Sequence, residues 1–154
     1  MRLHVPIKLR WSDLDAYGHV NNAAMLTLFE EVRIAVFWHG DLNIEGVSDV
    51  TPGAEGGTLS LIAGQQVEYL APIPYLREPL DIQMWVGRLG GASCDVCYEV
   101  WSPVGTEPAV LYARASSAIV LVDAATMKPR RITDGERAAW EQYLEAPVEF
   151  TQRR

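Results

Sequence analysis

Four strand-like stretches follow one another after residue 57, and no comparable amphipathic helix separates them. They are Thr58–Leu70, Leu80–Leu89, Ser93–Trp101 and Ala109–Val122. In the second stretch apolar residues alternate with polar ones, as expected of a strand with one buried face. The Gly90-Gly91 pair is typical of a hairpin turn into the third stretch. Parallel neighbours need a crossover connection, usually a helix. The sequence therefore predicts an antiparallel sheet.

One long amphipathic helix is predicted ahead of these strands. Its apolar residues recur at the i, i+3, i+4, i+7 spacing of a single helical face: Met25, Leu28, Phe29, Val32, Ala35 and Val36. We expect the helix to end near His39 with Gly40 as its terminating residue, and a loop to follow from Asp41 to Gly57. Upstream, Leu3–Trp11 alternates like a half-buried strand, in which Pro6 indicates a sheet edge or a bulge. Together these elements predict an α+β fold of one long helix and about five antiparallel strands.

The C-terminal region is predicted to add one short helix. Thr133 and Glu136 have the spacing of a capping box, and Pro147 marks where the helix must have ended. The tail 149–154 is expected to be flexible. At 154 residues the chain is expected to form a single domain over 1–154.

The segment Asp13–Asn22 concentrates chemically useful side chains immediately before the long helix. It holds two carboxylates, a glycine, a histidine and two asparagines. Asn21 or Asn22 is a preferred N-cap residue, because its side chain can accept a free N–H of the first turn. The free N–H groups and the dipole of a helix start both favour negative charge. A carboxylate beside such a start suits acyl transfer, in which an oxyanion develops.

The same segment resembles a known family. The pattern D-x-D-x-x-G-H-V-N-N, followed by a helix with E-E-x-R, is similar to the N-terminal motif of hotdog-fold acyl-CoA thioesterases. The nearest branch is the 4-hydroxybenzoyl-CoA thioesterase-like and long-chain acyl-CoA thioesterase group. The stretches RASSAIVLVD and KPRRI resemble that family's last strand and its exit. The resemblance implies a sheet wrapped around a central helix, and a homodimer or dimer of dimers with active sites at the shared interface.

The resemblance also implies roles for individual residues. Asp15 matches the catalytic carboxylate, acting as nucleophile or as a base for water. Asn22 matches the position whose backbone N–H polarises the thioester carbonyl. Asp13 reads as a supporting carboxylate that caps the turn, with a catalytic role as the alternative.

Further residues are expected to bind the substrate. Tyr17 and Val20 are expected to line the acyl site, and Gly18 to permit a positive φ or a close approach of the thioester. His19 is expected in a structural or helix-orienting role, because none of the three histidines has metal-ligand spacing. Glu30 matches a family position that can face the pocket, the alternative being a solvated helix face paired with Arg33.

Composition limits the remaining function classes. A net charge of −7 disfavours nucleic acid and anionic membranes as partners. No apolar run approaches the roughly 20 residues that span a bilayer, and the charged N-terminus does not read as a signal peptide. We therefore expect a cytoplasmic protein. Cys94 and Cys97 are expected to be reduced strand thiols rather than a metal or redox pair.

These observations predict a metal-free thioesterase that needs no cofactor and hydrolyses a fatty or aromatic acyl-CoA. Its alternatives are a dimer that binds or senses acyl thioesters without hydrolysing them, and an acyl-ACP thioesterase. The CoA phosphates are expected to meet basic residues, for which the candidates are Arg88, Arg114, Lys128, Arg130 and Arg131.

Overall fold

A computed structural model describes residues 1–37, the backbone of Trp38, and residues 57–152. The predicted helix end at His39 and Gly40, nearly all of the predicted loop from Asp41 to Gly57, and the last two residues of the predicted flexible tail lie outside the described residues.

In the described ranges, five antiparallel strands form one sheet. They are β1 (Leu3–Ile7), β2 (Thr58–Tyr69), β3 (Leu80–Leu89), β4 (Ser93–Trp101) and β5 (Leu111–Asp123), in the spatial order β1-β3-β4-β5-β2. The predicted α+β class and antiparallel sheet are confirmed. The strand bounds differ from prediction by two residues or fewer after residue 57, whereas β1 ends four residues before Trp11. Its early end leaves Trp11 in a short 3₁₀ turn, Trp11–Asp13, that leads towards the polar segment.

The sheet wraps around helix α1 (Asn22–Arg33), which continues as a wider π-helical turn, Ile34–Trp38. The predicted apolar face of α1 is buried in the core through Met25, Leu28, Phe29 and Val32. The ring of Phe29 packs on that of Tyr98 in β4, with 4.7 Å between centroids. Burying a side chain of this size contributes about 1.5–3 kcal/mol, so the contact fixes α1 against the middle of the sheet.

The two edges of the sheet are unlike. The β1 edge is short and carries Pro6, which lacks the N–H that a further strand would need. The β2 edge is twelve residues long, and Leu61 and Ile62 on it are 41% and 40% exposed. A long apolar edge is a surface on which another strand can pair.

The C-terminal region contributes a second helix and, after it, an extended segment, and both pack on the sheet. Helix α2 (Asp134–Glu141) begins with the predicted capping box, in which the side chains of Thr133 and Glu136 accept each other's backbone N–H. The chain after it crosses the sheet face opposite α1, where the Trp85 indole donates to the Ala146 carbonyl at 2.9 Å. Near its end the N–H of Thr151 donates to the Glu68 carboxylate at 2.9 Å.

The two cysteines are buried, free thiols that point to opposite faces of β4. Cys94 belongs to the core beneath α1, and burial raises the pKa of its thiol to about 12. Cys97 lies on the other face, close to Gly87 and Pro147. Thiols held protonated in this way are poor nucleophiles and metal ligands, in agreement with the strand-thiol interpretation.

Candidate active site

The loop before α1 is a tight turn closed by its own backbone. The N–H of Asp15 donates to the His19 carbonyl at 2.7 Å, and the N–H of Gly18 donates to the Asp15 carbonyl at 3.1 Å. Gly18 has φ +78°, a left-handed conformation that a side chain disfavours. The expectation of a positive φ at Gly18 is therefore confirmed, and its cause is the closure of this turn.

The carboxylate of Asp15 is held by one of its two oxygens. Oδ1 accepts hydrogen bonds from the backbone N–H of Tyr17 at 2.8 Å and of His19 at 3.2 Å. Within residues 1–38 and 57–152, no hydrogen-bond donor or cation pairs with Oδ2. The side chain is half-buried and lines a cavity. It is thus oriented by the loop while one oxygen remains available to a substrate or a water molecule.

Asp13 lies two residues away in a different environment. It is 1% exposed; its Oδ2 accepts the backbone N–H of Arg10 at 2.7 Å and its Oδ1 pairs with the Arg10 guanidinium at 2.9 Å. Its carbonyl accepts the N–H of Asn21 at 2.7 Å, which ties the loop's beginning to its end. Asp13 does not line the cavity. These contacts favour the supporting role for Asp13 over the catalytic one.

The start of α1 faces the same cavity as Asp15. Asn21 is the N-cap, and its side chain accepts the N–H of Ala23 at 2.8 Å. The N–H of Asn22 has no acceptor in the described part of the chain, and Asn22 lines the cavity. The Tyr69 hydroxyl donates to the Asn22 carbonyl at 2.8 Å, so β2 holds the first residue of the helix in place. An unused N–H at a helix start is a ready donor to a developing oxyanion.

The cavity has a volume of about 500 Å³ and walls from five parts of the chain. Apart from the loop and the helix start, its walls come from the end of β2, the segment 70–73 and the beginning of β5. The loop is fastened to that segment because the N–H of Val20 donates to the Ile73 carbonyl at 2.9 Å. The lining residues are Asp15, His19, Val20, Asn22, Met25, Tyr69, Leu70, Ala71, Pro72, Ile73, Tyr112 and Ala113.

The structure brings together four of the seven residues assigned to the site from sequence: Asp15, His19, Val20 and Asn22. Gly18 and Tyr17 belong to the loop but do not line the cavity, and Tyr17 is 85% exposed. Glu30 lies about 12 Å further along the helix from Asn22. It lines a separate cavity of about 140 Å³ together with Arg33.

Sequence reasoning missed the part of the cavity that distant segments of the chain form. Tyr69, the segment 70–73 and Tyr112 line it, and all lie more than forty residues from the loop. No local pattern could have indicated them, because the pairing of β2 with β5 is what brings Tyr69 beside Ala113.

The basic residues proposed for CoA phosphates do not gather at this cavity. Each of three is paired with a carboxylate: Arg88 with Asp95, Arg114 with Glu68, and Arg130 with Glu136. The other two, Lys128 and Arg131, follow the end of β5, about 40 Å of strand from its beginning at the cavity. Among the described residues no three His, Cys, Asp or Glu side chains gather as a metal site. No helix in the described part of the chain is both long and apolar enough to cross a membrane.

Comparison with known proteins gives one family and several structures of the same fold. A family model of the thioesterase-like superfamily matches residues 9–146. Among curated proteins, the uncharacterized protein YsmA of Bacillus subtilis is 31% identical over 93 residues. That match covers 60% of this chain and spans 56% of the length of YsmA.

Two solved structures are similar along nearly the whole chain. A predicted thioesterase from Bacillus stearothermophilus is 22% identical with a TM-score of 0.75, covering 96% of this chain and 100% of that one. A Thermus thermophilus thioesterase complexed with coenzyme A and Zn is 24% identical with a TM-score of 0.65, covering 96% of each chain. At these identities the likeness establishes the shared fold.

Proposed function

The chain belongs to the thioesterase-like superfamily, a family of thioester hydrolases, and from this premise we propose that it hydrolyses acyl-CoA to the free acid and CoA. The catalytic groups are the Asp15 carboxylate and the backbone N–H of Asn22. One observation carries the proposal. A carboxylate oxygen and a helix-start N–H, neither with a partner among the described residues, line the same cavity.

The reaction begins with attack on the thioester carbonyl. In one route Asp15 takes a proton from water and the resulting hydroxide attacks; in the other Oδ2 attacks directly and water later cleaves the anhydride. In both routes the carbonyl oxygen becomes an oxyanion, the C–S bond breaks, and the CoA thiolate leaves. The thiolate is a good leaving group, so the reaction requires no strong general acid beside the sulfur.

The oxyanion is stabilised by the start of α1. The Asn22 N–H supplies a hydrogen bond, and the dipole of the twelve-residue helix adds positive potential at the same place. Removing one such donor typically costs about 2.7–4 kcal/mol of transition-state stabilisation. Since the donor belongs to the backbone, the Asn22 side chain is free to vary.

The cavity is suited to a fatty or aromatic acyl group. Its lining includes the apolar side chains of Met25, Leu70, Ala71 and Ile73. A CoA thioester is the proposed substrate because the similar Thermus thermophilus thioesterase was solved with coenzyme A. An apolar wall facing a few fixed polar groups is the usual plan of a small-molecule site.

We propose further that the chain pairs with a second copy through the β2 edge, as a homodimer or a dimer of dimers. The support is the twelve-residue edge with Leu61 and Ile62 exposed on it. An Ile62→Lys variant should shift the assembly towards monomer, as measured by light scattering. An unchanged mass would argue against pairing at this edge.

The test of the catalytic assignment is thiol release from a panel of acyl-CoAs by the wild type and Asp15→Asn. Loss of the carboxylate should lower kcat by about 10²-fold or more, with KM changed little. Asp134→Asn is the matched control, because Asp134 is exposed in the first turn of α2, and it should retain full activity. Activity within a few-fold in Asp15→Asn would refute the assignment, and tight acyl-CoA binding without thiol release would indicate a binding protein.

A further inference from the structure

Two aromatic rings stack on the surface beside the active-site loop. The rings of Trp11 and Tyr75 lie 4.2 Å apart between centroids and are parallel to within 7°. Trp11 is nevertheless 73% exposed. An indole is a large apolar surface that folding normally buries, so this stack holds a rigid aromatic face open to solvent.

The stack joins two walls of the active-site cavity. Trp11 begins the 3₁₀ turn that leads to Asp15; since the two are four residues apart, their Cα atoms are separated by at most about 14 Å. Tyr75 comes directly after Pro74, which bridges to His19, and two residues after Ile73 in the cavity wall. A molecule whose reacting end lies at Asp15 can therefore reach the exposed face of Trp11.

A cation lies close to the stack in the chain. Arg77 is two residues beyond Tyr75 and exposed, and it makes no ion pair with any described residue. It lines a surface cavity of about 340 Å³ together with Glu78 and Tyr112, and Tyr112 also lines the active-site cavity. Although the chain carries a net charge of −7, an arginine with no ion-pair partner among the described residues offers a local positive site for a phosphate.

We propose that Trp11, backed by Tyr75, stacks the adenine ring of the CoA substrate and that Arg77 binds its phosphates. This inference rests on the proposed acyl-CoA hydrolysis. Every nucleobase has a flat π-face, and stacking on an aromatic side chain contributes about 1–3 kcal/mol. The backing ring of Tyr75 keeps the indole in one orientation, so little conformational entropy is lost when the base binds.

The test compares two substrates that carry the same acyl group, one on CoA and one on N-acetylcysteamine, which has no nucleotide. Trp11→Ala should raise KM for the CoA thioester by about 5- to 100-fold and leave kcat/KM for the short thioester within two-fold. Trp11→Phe should restore most of the affinity. Arg77→Gln should raise KM for the CoA thioester alone, whereas Arg131→Gln, the same substitution at the distant end of β5, should not.

Three outcomes would overturn the inference. The first is an unchanged KM for the CoA thioester in Trp11→Ala. The second is an equal loss on both substrates, which would indicate a structural role for the stack. The third is a change in the mass of the assembly in Trp11→Ala, which would make the stack a contact between copies.

The platform can also be tested without catalysis. Titration with adenosine 3′,5′-bisphosphate should quench tryptophan fluorescence in the wild type and much less in Trp11→Phe. If the wild type hydrolyses neither thioester but this quenching is seen, the proposed hydrolysis fails and the nucleotide site stands. If hydrolysis is normal and the two titrations are alike, the nucleotide site fails alone.

Discussion

Replacing Asp13 by Asn should destabilise the protein through loss of a buried anchor. The Asp13 carboxylate is 1% exposed and accepts three hydrogen bonds from Arg10, one from the backbone N–H and two from the guanidinium. Asparagine keeps one accepting oxygen, but its NH₂ group would face a donor of Arg10, and neither of these two groups would then have a hydrogen-bond acceptor. A buried hydrogen bond to a charged group contributes about 1.5–3 kcal/mol. We therefore expect the free energy of unfolding to fall by about 2–3 kcal/mol.

The control breaks the same ion pair from its exposed end. The Arg10 side chain is 62% exposed, so Arg10→Gln leaves a residue that water can solvate, and the backbone N–H still donates to Asp13. The glutamine amide can still donate a hydrogen bond to the Asp13 carboxylate, so only the charge of the solvated partner is lost, which contributes less than about 1 kcal/mol. The two substitutions on one contact should thus differ at least two-fold in cost.

Urea unfolding at neutral pH measures both costs. With a slope of about 2 kcal/mol per M, Asp13→Asn should lower the midpoint by about 1–1.5 M, and Arg10→Gln by less than about 0.5 M. Equal shifts would refute the argument that the buried carboxylate anchors the loop. Thiol release lost as fully as in Asp15→Asn, with an unchanged midpoint, would make Asp13 a participant in the chemistry.

Three other substitutions test separate parts of the structure. Gly18→Ala should lower the free energy of unfolding, measured in urea, by about 1–2 kcal/mol, because Gly18 has φ +78° and a side chain strains the backbone there. The control is Gly91→Ala, which should cost nothing, because an added methyl at Gly91 meets no neighbouring atom either and Gly91 has no positive φ. Arg130 holds the pKa of Glu136 below its usual value of 4.5, so the stabilisation from Glu136 is present above that value and disappears as the pH falls through the lower, folded-state pKa. In urea unfolding the gap between wild type and Glu136→Gln should stay constant above about pH 5.5 and close as the pH falls below 4.5. Tyr69→Phe removes the hydrogen bond from the Tyr69 hydroxyl to the helix start, which contributes about 1 kcal/mol, and should lower kcat about five-fold in the thiol-release assay. An unchanged kcat would show that this bond does not position the helix start.

The sequence predicted the parts of the site that are formed by residues close together in the chain. The N-cap at Asn21, the positive φ at Gly18 and the buried face of α1 each depend on a few neighbouring residues. Backbone sterics and local hydrogen bonds decide such features. Family membership could also be predicted, because the motif that carries the resemblance lies within the same two dozen residues.

Other features depended on how distant segments meet. Glu30 matches the family motif in sequence, yet two turns of helix carry it away from Asp15 into another cavity. Trp11 is in phase with the apolar residues of β1 and is predicted to share the apolar face of a half-buried strand, but the strand ends at Ile7 and leaves the indole on the surface.

The sequence by itself therefore determined the turn that presents Asp15 and the helix start beside it, because each is stabilised by interactions within about a dozen residues. It also located the strands, through their apolar patterns and turn residues. Only the tertiary structure decided which distant residues complete the cavity. The order of strands in the sheet brings Tyr69 and Ala113 together in the cavity that the loop also lines. That order follows from which apolar faces can be buried together over the whole chain, and this depends on the packing of all five strands at once.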